Sequence, residues 1–302
     1  MQSQNEIRQS ITDRIVEALK QGKIIPWRRP FTEVPDPVRL PTNYSSNRAY
    51  SGINILALWL SQQERGFPIS YWASFQQWKA LGAVVKKGEK ATQIVFYRQV
   101  RKTVEQENGE KRVEAFPLMR TWSVFNIAQV EGEVAEKFKP KLHNEGVETF
   151  PAVDRTGFDR LIAAIGADIR YGSGLQAAYY RPPHDFITIP DENQFVSFSA
   201  FAETLLHECA HYSEAEGRCS WSGTYAEGEL RAEIASCFLM AALGIPGGDL
   251  TNHAAYVQSW LQALENDPRH IFKAAAAASK ASNYLLGFVR PKEVEEEAAV
   301  SA

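Results

Sequence analysis

The feature that most constrains this 302-residue sequence is the pentapeptide that begins at His207, continues with Glu208 and ends at His211. In a helix, this spacing places both imidazoles one turn apart on the same face, so both can bind one metal ion. Glu208 then points near the same ion and can take a proton from a water bound to it. Residues 198–212 contain neither proline nor glycine, and their apolar positions recur as in a helix packed on a core, with Ser199 as the predicted N-cap. The pattern predicts a metal-binding helix of the kind found in zinc hydrolases.

A site of this kind needs one more protein ligand, usually from the next helix, and leaves its fourth position to water. Residues 225–243 predict that helix, and within it Glu229 and Glu233 lie four residues apart on one face. One carboxylate can bind the metal while the other accepts a hydrogen bond from the ring N–H of a ligand histidine. We expect Glu229 to be the ligand, with Glu233 in the supporting position or as the alternative ligand. Tyr225, at the start of the same segment, is a candidate to stabilise an oxyanion.

Two simpler interpretations compete with a metal site. Three fixed residues in five arise by chance in about one chain in a hundred of this length, and both histidines could be ordinary residues of an amphipathic helix. An exposed charged helix would explain Glu229, but Glu233 lies in a mostly apolar run where an unpaired carboxylate would be costly. We therefore predict a metal site, with Zn²⁺ as the expected ion and another divalent metal such as Mn²⁺ as the alternative.

Charge is distributed unevenly along the chain. Residues 1–130 contain 19 Lys and Arg against 11 Asp and Glu, whereas the remainder contains 14 against 25. The first part therefore carries a net charge of +8 and the second −11, although the whole chain carries only −3. A division of this kind is typical of a protein in which one half binds a polyanion and the other half has another task.

Five of the seven tryptophans also lie in the basic half, and several aromatic residues there alternate with cations. Single-stranded nucleic acid favours this mixture, because bases stack on aromatic faces while Lys and Arg contact phosphates. Trp59 and Trp78 lie in helical apolar patterns and are predicted core residues, whereas Trp27 and Trp72 lie in segments that resemble loops. The candidate nucleic-acid contacts are Trp27, Arg28, Arg29, Arg48, Tyr50, Trp72, Lys86, Lys87 and Lys90.

The order of predicted elements indicates an α+β fold in two domains. Residues 1–128 predict a small antiparallel sheet with helices, including an amphipathic N-terminal helix with an apolar residue at every fourth position and a short helix capped by Ser74. Residues 129–150 predict a charged linker. Residues 151–290 predict three short strands followed by the metal-motif helix, with a sheet edge available to an extended substrate. Residues 291–302 predict a disordered acidic tail.

Composition also restricts the cellular setting. No apolar run has the length of a membrane span, and the N-terminal residues lack an apolar signal region. The cysteines Cys209, Cys219 and Cys237 are odd in number and form no Cys-x-x-Cys pair, so they predict free thiols rather than a disulfide framework or a cysteine–zinc site. We expect a cytoplasmic protein with no membrane partner.

Several segments, taken in order, resemble the ArdC-type antirestriction family. In the second half, residues 207–211 and 225–238 are similar to the metallopeptidase domain of that family. The segments that resemble its N-terminal domain, which plasmid TraC primases share in related form, are Pro26-Trp27-Arg28, Pro41-Thr42-Asn43, residues 50–54, Trp72-x-x-Phe75-x-Gln77, and residues 81–82 through the basic turn at 85–90.

The resemblance implies a plasmid-encoded protein that binds single-stranded DNA and shields incoming conjugative DNA from host restriction. It also implies a zincin-like metallopeptidase domain with His207, His211 and the Glu229 region as ligands. The position of Glu208 within the motif makes it the expected catalytic base. The protein substrate is unknown, and a component of the host restriction system is one candidate.

Two alternatives to a peptidase remain. One is a non-catalytic single-stranded-DNA-coating protein with a structural or vestigial metal site. The other is a metal-dependent nuclease, which a His-His-Glu site favours less, because phosphoryl transfer usually relies on carboxylates and often on two ions.

Overall fold

The computed structural model describes residues 3–21, 39–105, 111–138, 155–247, 260–262 and 264–289. Three candidate nucleic-acid contacts, Trp27, Arg28 and Arg29, lie outside these residues, as do the predicted tail and most of the predicted linker. The chain divides into two compact units, of which one comprises Met1–Ile15 and Pro41–Pro140 and the other Val16–Leu40 and Lys141–Ala302. Both contain helices and a sheet, so the chain is an α+β protein of two domains. In the part of the chain so described, no helix combines the length and apolarity needed to cross a membrane.

The strands of the first unit are β1 (Thr42–Asn43), β2 (Arg48–Ala49), β3 (Tyr71–Ser74), β4 (Val84–Val85), β5 (Thr92–Glu105), β6 (Lys111–Asn126) and β7 (Val130–Glu131). Five of them form a sheet with the order β2-β1-β3-β6-β5, and β4 pairs separately with β7. Neighbours in the larger sheet are antiparallel except β1 and β3, which run parallel. The sheet is therefore mixed, where the sequence predicted an antiparallel one.

The helices of the first 138 residues are α1 (Gln4–Lys20), α2 (Ile53–Glu64), α3 (Phe75–Ala80) and α4 (Glu133–Glu136). The predicted amphipathic helix is confirmed by α1, whose buried residues include Ile7, Ile11, Ile15 and Leu19. The predicted cap of α3 is confirmed too. The Ser74 hydroxyl accepts the N–H of Gln77, and the Gln77 side chain accepts the N–H of Ser74, so two free backbone donors are satisfied reciprocally.

Helices cover both faces of the larger sheet at β3. Trp72 and Ala73 are consecutive residues of this strand and therefore point to opposite faces. Trp72 packs with Leu58 of α2 and Val124 of β6, while Ala73 packs in a cluster with Trp78 of α3. Both tryptophans are fully buried. The core role predicted for Trp78 is confirmed, and Trp72 belongs to the core as well.

The segment predicted as a linker begins with regular structure. Val130–Glu131 pair with β4, and Gln129 just before them is fully buried. Phe138 packs against the cluster around Trp78. These contacts join residues 129–138 to β4 and to the cluster around Trp78. The first unit therefore continues past residue 128, the predicted end of the first domain.

The second unit contains helices α5 (Thr156–Ile165), α6 (Phe198–Tyr212), α7 (Tyr225–Leu243) and α8 (Arg269–Gly287), and strands β8 (Asp168–Gly172), β9 (Tyr179–Arg181) and β10 (Phe186–Pro190). The strands form a sheet with the order β8-β10-β9, in which β10 is parallel to β8 and antiparallel to β9. Every residue of β10 is buried, as expected for a central strand covered on both faces. Because α6 packs against both β9 and β10, the metal-motif helix lies directly on the sheet.

Local capping determines where the two site helices begin and end. α6 is capped by Ser197, where the chain leaves an extended conformation, so the predicted cap Ser199 lies inside the first turn instead. α7 is capped by Thr224, which forms a capping box with Glu227, and it ends at Gly244. Gly244 adopts a φ of 68°, a left-handed conformation that glycine reaches without strain. Between these ends α7 packs against both α6 and α8, which holds its carboxylates close to the metal motif.

Candidate metal centre

Two imidazoles from α6 converge on one point. The Nε2 atoms of His207 and His211 are 3.1 Å apart, and the rings meet edge to face at an interplanar angle of 74°. Leu205, Leu206 and Cys209 on the same helix are buried in the core of the unit. Because these neighbours anchor the apolar side of α6, both histidines are held on the opposite, accessible side.

A carboxylate from α7 completes the cluster. Glu229 Oε2 lies 3.5 Å from His207 Nε2, and its Oε1 lies 3.5 Å from His211 Nε2. Ligands about 2.0–2.1 Å from a tetrahedral zinc ion are about 3.3 Å from one another. The observed separations of 3.1 and 3.5 Å match that spacing, and two imidazoles with one carboxylate are a donor set that zinc accepts. These residues therefore fit a divalent metal.

Two more carboxylates face the outer ring nitrogens. Glu233 Oε2 lies 3.7 Å from His207 Nδ1, and Glu214 Oε2 lies 3.5 Å from His211 Nδ1. Arg231 holds Glu214 through two hydrogen bonds of 2.9 and 3.2 Å. The sequence pattern predicts Glu233 beside a histidine but does not identify Glu214, which lies in the turn just after α6, three residues beyond His211. That short separation is the one signal in the sequence that could have indicated it.

Charge pairing dominates the electrostatics of the cluster. Burial opposes a charge on His207, but Glu229 and Glu233 outweigh it and raise the pKa of His207 to about 10. Burial likewise opposes a charge on His211, and Glu214 and Glu229 nevertheless raise its pKa. Burial would raise the pKa of Glu229, but the two histidines lower it well below its usual range. Glu229 is therefore ionised at neutral pH and suited to a cationic ligand.

Glu208 lies beside the cluster, and a strand of the sheet holds its carboxylate in place. Its Oε2 accepts a hydrogen bond of 2.7 Å from the backbone N–H of Tyr180, a residue of the edge strand β9. His207, His211, Glu229 and Glu208 all line a cavity of about 1220 Å³, which is large enough for a peptide segment. The sequence does not reveal this contact, because a backbone N–H is present at every residue except proline and so is not marked by residue type.

Tyr225 lines the same cavity as the first residue of α7, and its side chain is 72% exposed. A phenol at this position can donate a hydrogen bond to a group in the cavity. Its place on the cavity wall is compatible with the predicted oxyanion contact.

The candidate cations of the first unit are exposed. Arg48 lies on β2, and Lys86, Lys87 and Lys90 lie in the turn that follows β4. The Lys86 ammonium donates a hydrogen bond of 2.9 Å to the carbonyl of Ala128, so this side chain already has a protein partner. Lys87 and Lys90 extend the same exposed basic turn.

Of the candidate aromatic contacts that the structure describes, Trp72 needs correction. Trp72 is fully buried between sheet and α2, so its ring faces are covered and cannot stack on a base. Tyr50 is half-buried against the same cluster, and its hydroxyl accepts a hydrogen bond from Asn43. The exposed aromatic residues of this unit include Trp122 and Phe96, which were not among the candidates.

A helix that carries two histidines and a glutamate, packed beside a sheet edge and completed by a glutamate from the next helix, defines a zincin-like metallopeptidase domain. The family model described as "Zincin-like metallopeptidase" matches residues 156–277. The model described as "N-terminal domain of anti-restriction factor ArdC" matches residues 5–125.

The chain belongs to the ArdC antirestriction family. Its fold is similar to the metal-free crystal structure of the antirestriction protein ArdC from plasmid R388, with a TM-score of 0.76, 36% identity and coverage of 94% of this chain and 97% of that one. The Mn(II)-bound structure of the same protein matches with a TM-score of 0.70 and 35% identity over 95% and 99% of the two chains.

Two curated relatives extend this comparison. Protein y4eC of Sinorhizobium fredii is 33% identical over 295 residues, which cover 94% of this chain and 92% of the relative. DNA primase TraC of Escherichia coli is 35% identical over 315 residues, which cover 97% of this chain. The chain spans only 28% of the length of that primase.

Proposed function

We propose that this ArdC-family protein combines a metal-dependent peptidase centre in its second unit with a single-stranded-DNA-binding surface in its first. The observation that carries the peptidase proposal is the convergence of His207, His211 and Glu229, whose ligand atoms lie within 4.8 Å of one another. Glu208 lines the same cavity, which is what a hydrolytic site requires.

We assign His207, His211 and Glu229 as the residues that would hold the ion. Zinc is the first candidate because of this donor set, and the Mn(II)-bound structure of the R388 relative supports manganese as the alternative. A divalent ion there would supply Lewis acidity, which polarises a carbonyl and makes water a stronger nucleophile. Glu233 and Glu214 orient the two imidazoles from their outer nitrogens.

Glu208 acts as the general base in this proposal. It takes a proton from the attacking water and returns it to the leaving amine. The N–H of Tyr180 holds its carboxylate in place, and Tyr225 on the cavity wall is the proposed donor to the carbonyl oxygen. An extended peptide would lie along the edge strand β9, whose residues Tyr179 and Tyr180 line the cavity.

The basic first unit is the proposed DNA-binding part. Most of this unit lies within residues 1–130, which carry a net charge of +8 and therefore favour a polyanion. The similarity to an antirestriction protein and to a DNA primase supports a role on DNA. We propose that the protein acts in the cytoplasm on incoming single-stranded DNA, where a host restriction component is a candidate peptidase substrate.

Metal binding can be tested without a substrate. The full chain is titrated with Zn²⁺ and with Mn²⁺ in a calorimeter, and bound metal is counted by mass spectrometry. We expect one ion per chain in the wild type, strong loss in His211→Ala, and no loss in His184→Ala, an exposed histidine outside the cluster. A wild-type chain that binds neither metal would overturn the assignment.

Catalysis is tested by Glu208→Gln, which keeps the shape of the side chain but removes the base. Cleavage of a peptide library should fall at least about 100-fold, while metal content stays unchanged. Retained cleavage would show that Glu208 is not the base. Unchanged protection of conjugated DNA in recipient cells that carry this variant would favour the alternative, a DNA-coating protein without catalysis.

A further inference from the structure

One face of the β5–β6 hairpin presents two large aromatic rings and a cation together. In the antiparallel register, Ile94 lies opposite Trp122 and Phe96 lies opposite Arg120. Since alternate residues of a strand share a face, these four side chains lie on the same face of the hairpin. Trp122 is 55% exposed, Phe96 is 54% exposed, and Arg120 is also exposed.

The same face is buried closer to β3. There Trp72 and Val124 pack against Leu58 of α2 and exclude solvent. Trp122 lies two residues before Val124 on β6, beyond that cluster. Isolated exposed apolar residues are common on protein surfaces, but two exposed aromatic rings at diagonal positions of paired strands, one of them opposite an arginine, are a stronger signal for a ligand.

The charge of the hairpin indicates what class of ligand this face would bind. The sequences of β5 and β6 carry only two acidic residues, Glu105 and Glu114. Their six basic residues are Arg98, Arg101, Lys102, Lys111, Arg112 and Arg120. A strand pair whose sequence carries six basic and two acidic residues, with two exposed rings, suits an anionic polymer better than an apolar protein surface, because opposite charges attract.

We propose that this face of the hairpin is where single-stranded DNA binds, with bases stacked on Trp122 and Phe96 and a phosphate contacted by Arg120. The inference rests on the proposed DNA-binding function and adds the surface that performs it. Unpaired bases have free ring faces on which aromatic side chains can stack, whereas the faces inside a duplex are occupied by neighbouring base pairs. Stacking tolerates any base, so the surface would bind without strong sequence preference.

The test uses the full-length chain and a fluorescein-labelled oligodeoxythymidylate, with affinity measured by anisotropy. We expect Trp122→Ala and Phe96→Ala each to weaken binding about 5- to 100-fold. We expect Arg120→Gln to make the slope of log affinity against log salt concentration less steep by about one, which corresponds to the loss of one phosphate contact. The matched control is Tyr97→Ala, which removes a 48% exposed ring from the adjacent residue on the opposite face of β5.

Each outcome has a distinct meaning. Wild-type binding that survives both aromatic substitutions, or that falls equally in Tyr97→Ala, would overturn the surface assignment. Tighter binding of duplex than of single strand would exclude base stacking. A wild type that binds no single strand would instead refute the proposed function itself.

A second measurement needs no variant and so does not depend on folding of a mutant. Oligonucleotides with 5-iododeoxyuridine are irradiated on the wild-type protein, and the cross-linked peptide is identified by mass spectrometry. We expect the peptide that contains Trp122 or the one that contains Phe96. Cross-links confined to other segments would contradict the proposal.

Discussion

The backbone N–H of Tyr180 donates a hydrogen bond of 2.7 Å to Oε2 of Glu208, so the edge strand and the metal-motif helix meet at the proposed catalytic base. The hydroxyl of the same tyrosine donates to Asp185 at 2.8 Å, and Arg218 bridges both carboxylate oxygens of Asp185 at 2.8 and 2.6 Å. Arg218 also donates to the carbonyl of Tyr212 at the end of α6. One polar network of Tyr180, Asp185 and Arg218 thus connects Glu208 with the C-terminal end of α6.

Replacement of Tyr180 by proline tests the role of its amide. Tyr180→Pro and Tyr180→Ala both lose the hydroxyl contact to Asp185, but only proline also removes the N–H that Glu208 accepts. We expect turnover of Tyr180→Pro to be at least about 10-fold below that of Tyr180→Ala, since a hydrogen bond to a charged group contributes about 1.5–3 kcal/mol. Steady-state peptide cleavage at equal metal content measures this ratio, and equal turnover in the two variants would show that the amide is dispensable.

Glu214→Gln tests the contact behind His211. The carboxylate faces His211 Nδ1 at 3.5 Å, where it orients the ring and increases the basicity of the opposite nitrogen. We expect the affinity for Zn²⁺ to fall about 10- to 100-fold, which calorimetry or a competing chelator would measure. The control is Glu216→Gln, because Glu216 is an exposed glutamate two residues away. Equal affinities for the two variants would argue against a supporting role of Glu214.

Arg218→Ala should destabilise the second unit. Arg218 is largely buried, bonds Asp185 through two nitrogens, and lies over the ring of Tyr212 with its guanidinium carbon 3.3 Å from the centroid. We expect a loss of about 2–3 kcal/mol in the free energy of unfolding, measured by urea denaturation. The pair of Arg269 and Asp267 provides the comparison because the Arg269 side chain is 62% exposed, and Arg269→Ala should cost less than about 1 kcal/mol. Similar losses in both variants would contradict this ranking.

The stabilising contribution of Asp185 should depend on pH. Hydrogen bonds from Arg218 lower the pKa of Asp185 below its usual value, with a further contribution from Tyr180. Stability from a lowered carboxyl pKa is fully present above the unfolded-state value of about 4 and is lost as pH falls through the folded-state value. The difference in free energy of unfolding between wild type and Asp185→Asn should therefore be largest near neutral pH and shrink below about pH 4. Denaturation curves at several pH values measure it, and a constant difference would refute the link to ionisation.

Local signals predicted much of the fold. The four-residue apolar spacing that includes Ile7 and Ile11 predicted α1, and Ser74 predicted the start of α3, because helix periodicity and capping depend on residues only a few positions apart. The sequence predicts Ser199 as the cap of α6, whereas the structure has Ser197, because both serines lie at the start of the same apolar pattern and only the backbone conformation distinguishes them. The parallel pairing of β1 with β3 was missed, because strand pairing is determined by distant residues.

The sequence by itself determined the metal motif, because His207 and His211 share a helix face in any α-helix, and it determined the charge asymmetry of the two halves. Only the tertiary structure decided which partners reach that motif. Packing of α7 on α6 brings Glu229 to 3.5 Å from both imidazoles, and the edge strand brings a backbone N–H to Glu208. The structure also buries Trp72, because residues distant in sequence cover it, and leaves Trp122 exposed. Contacts across elements depend on how helices and strands pack, which local residue patterns do not encode.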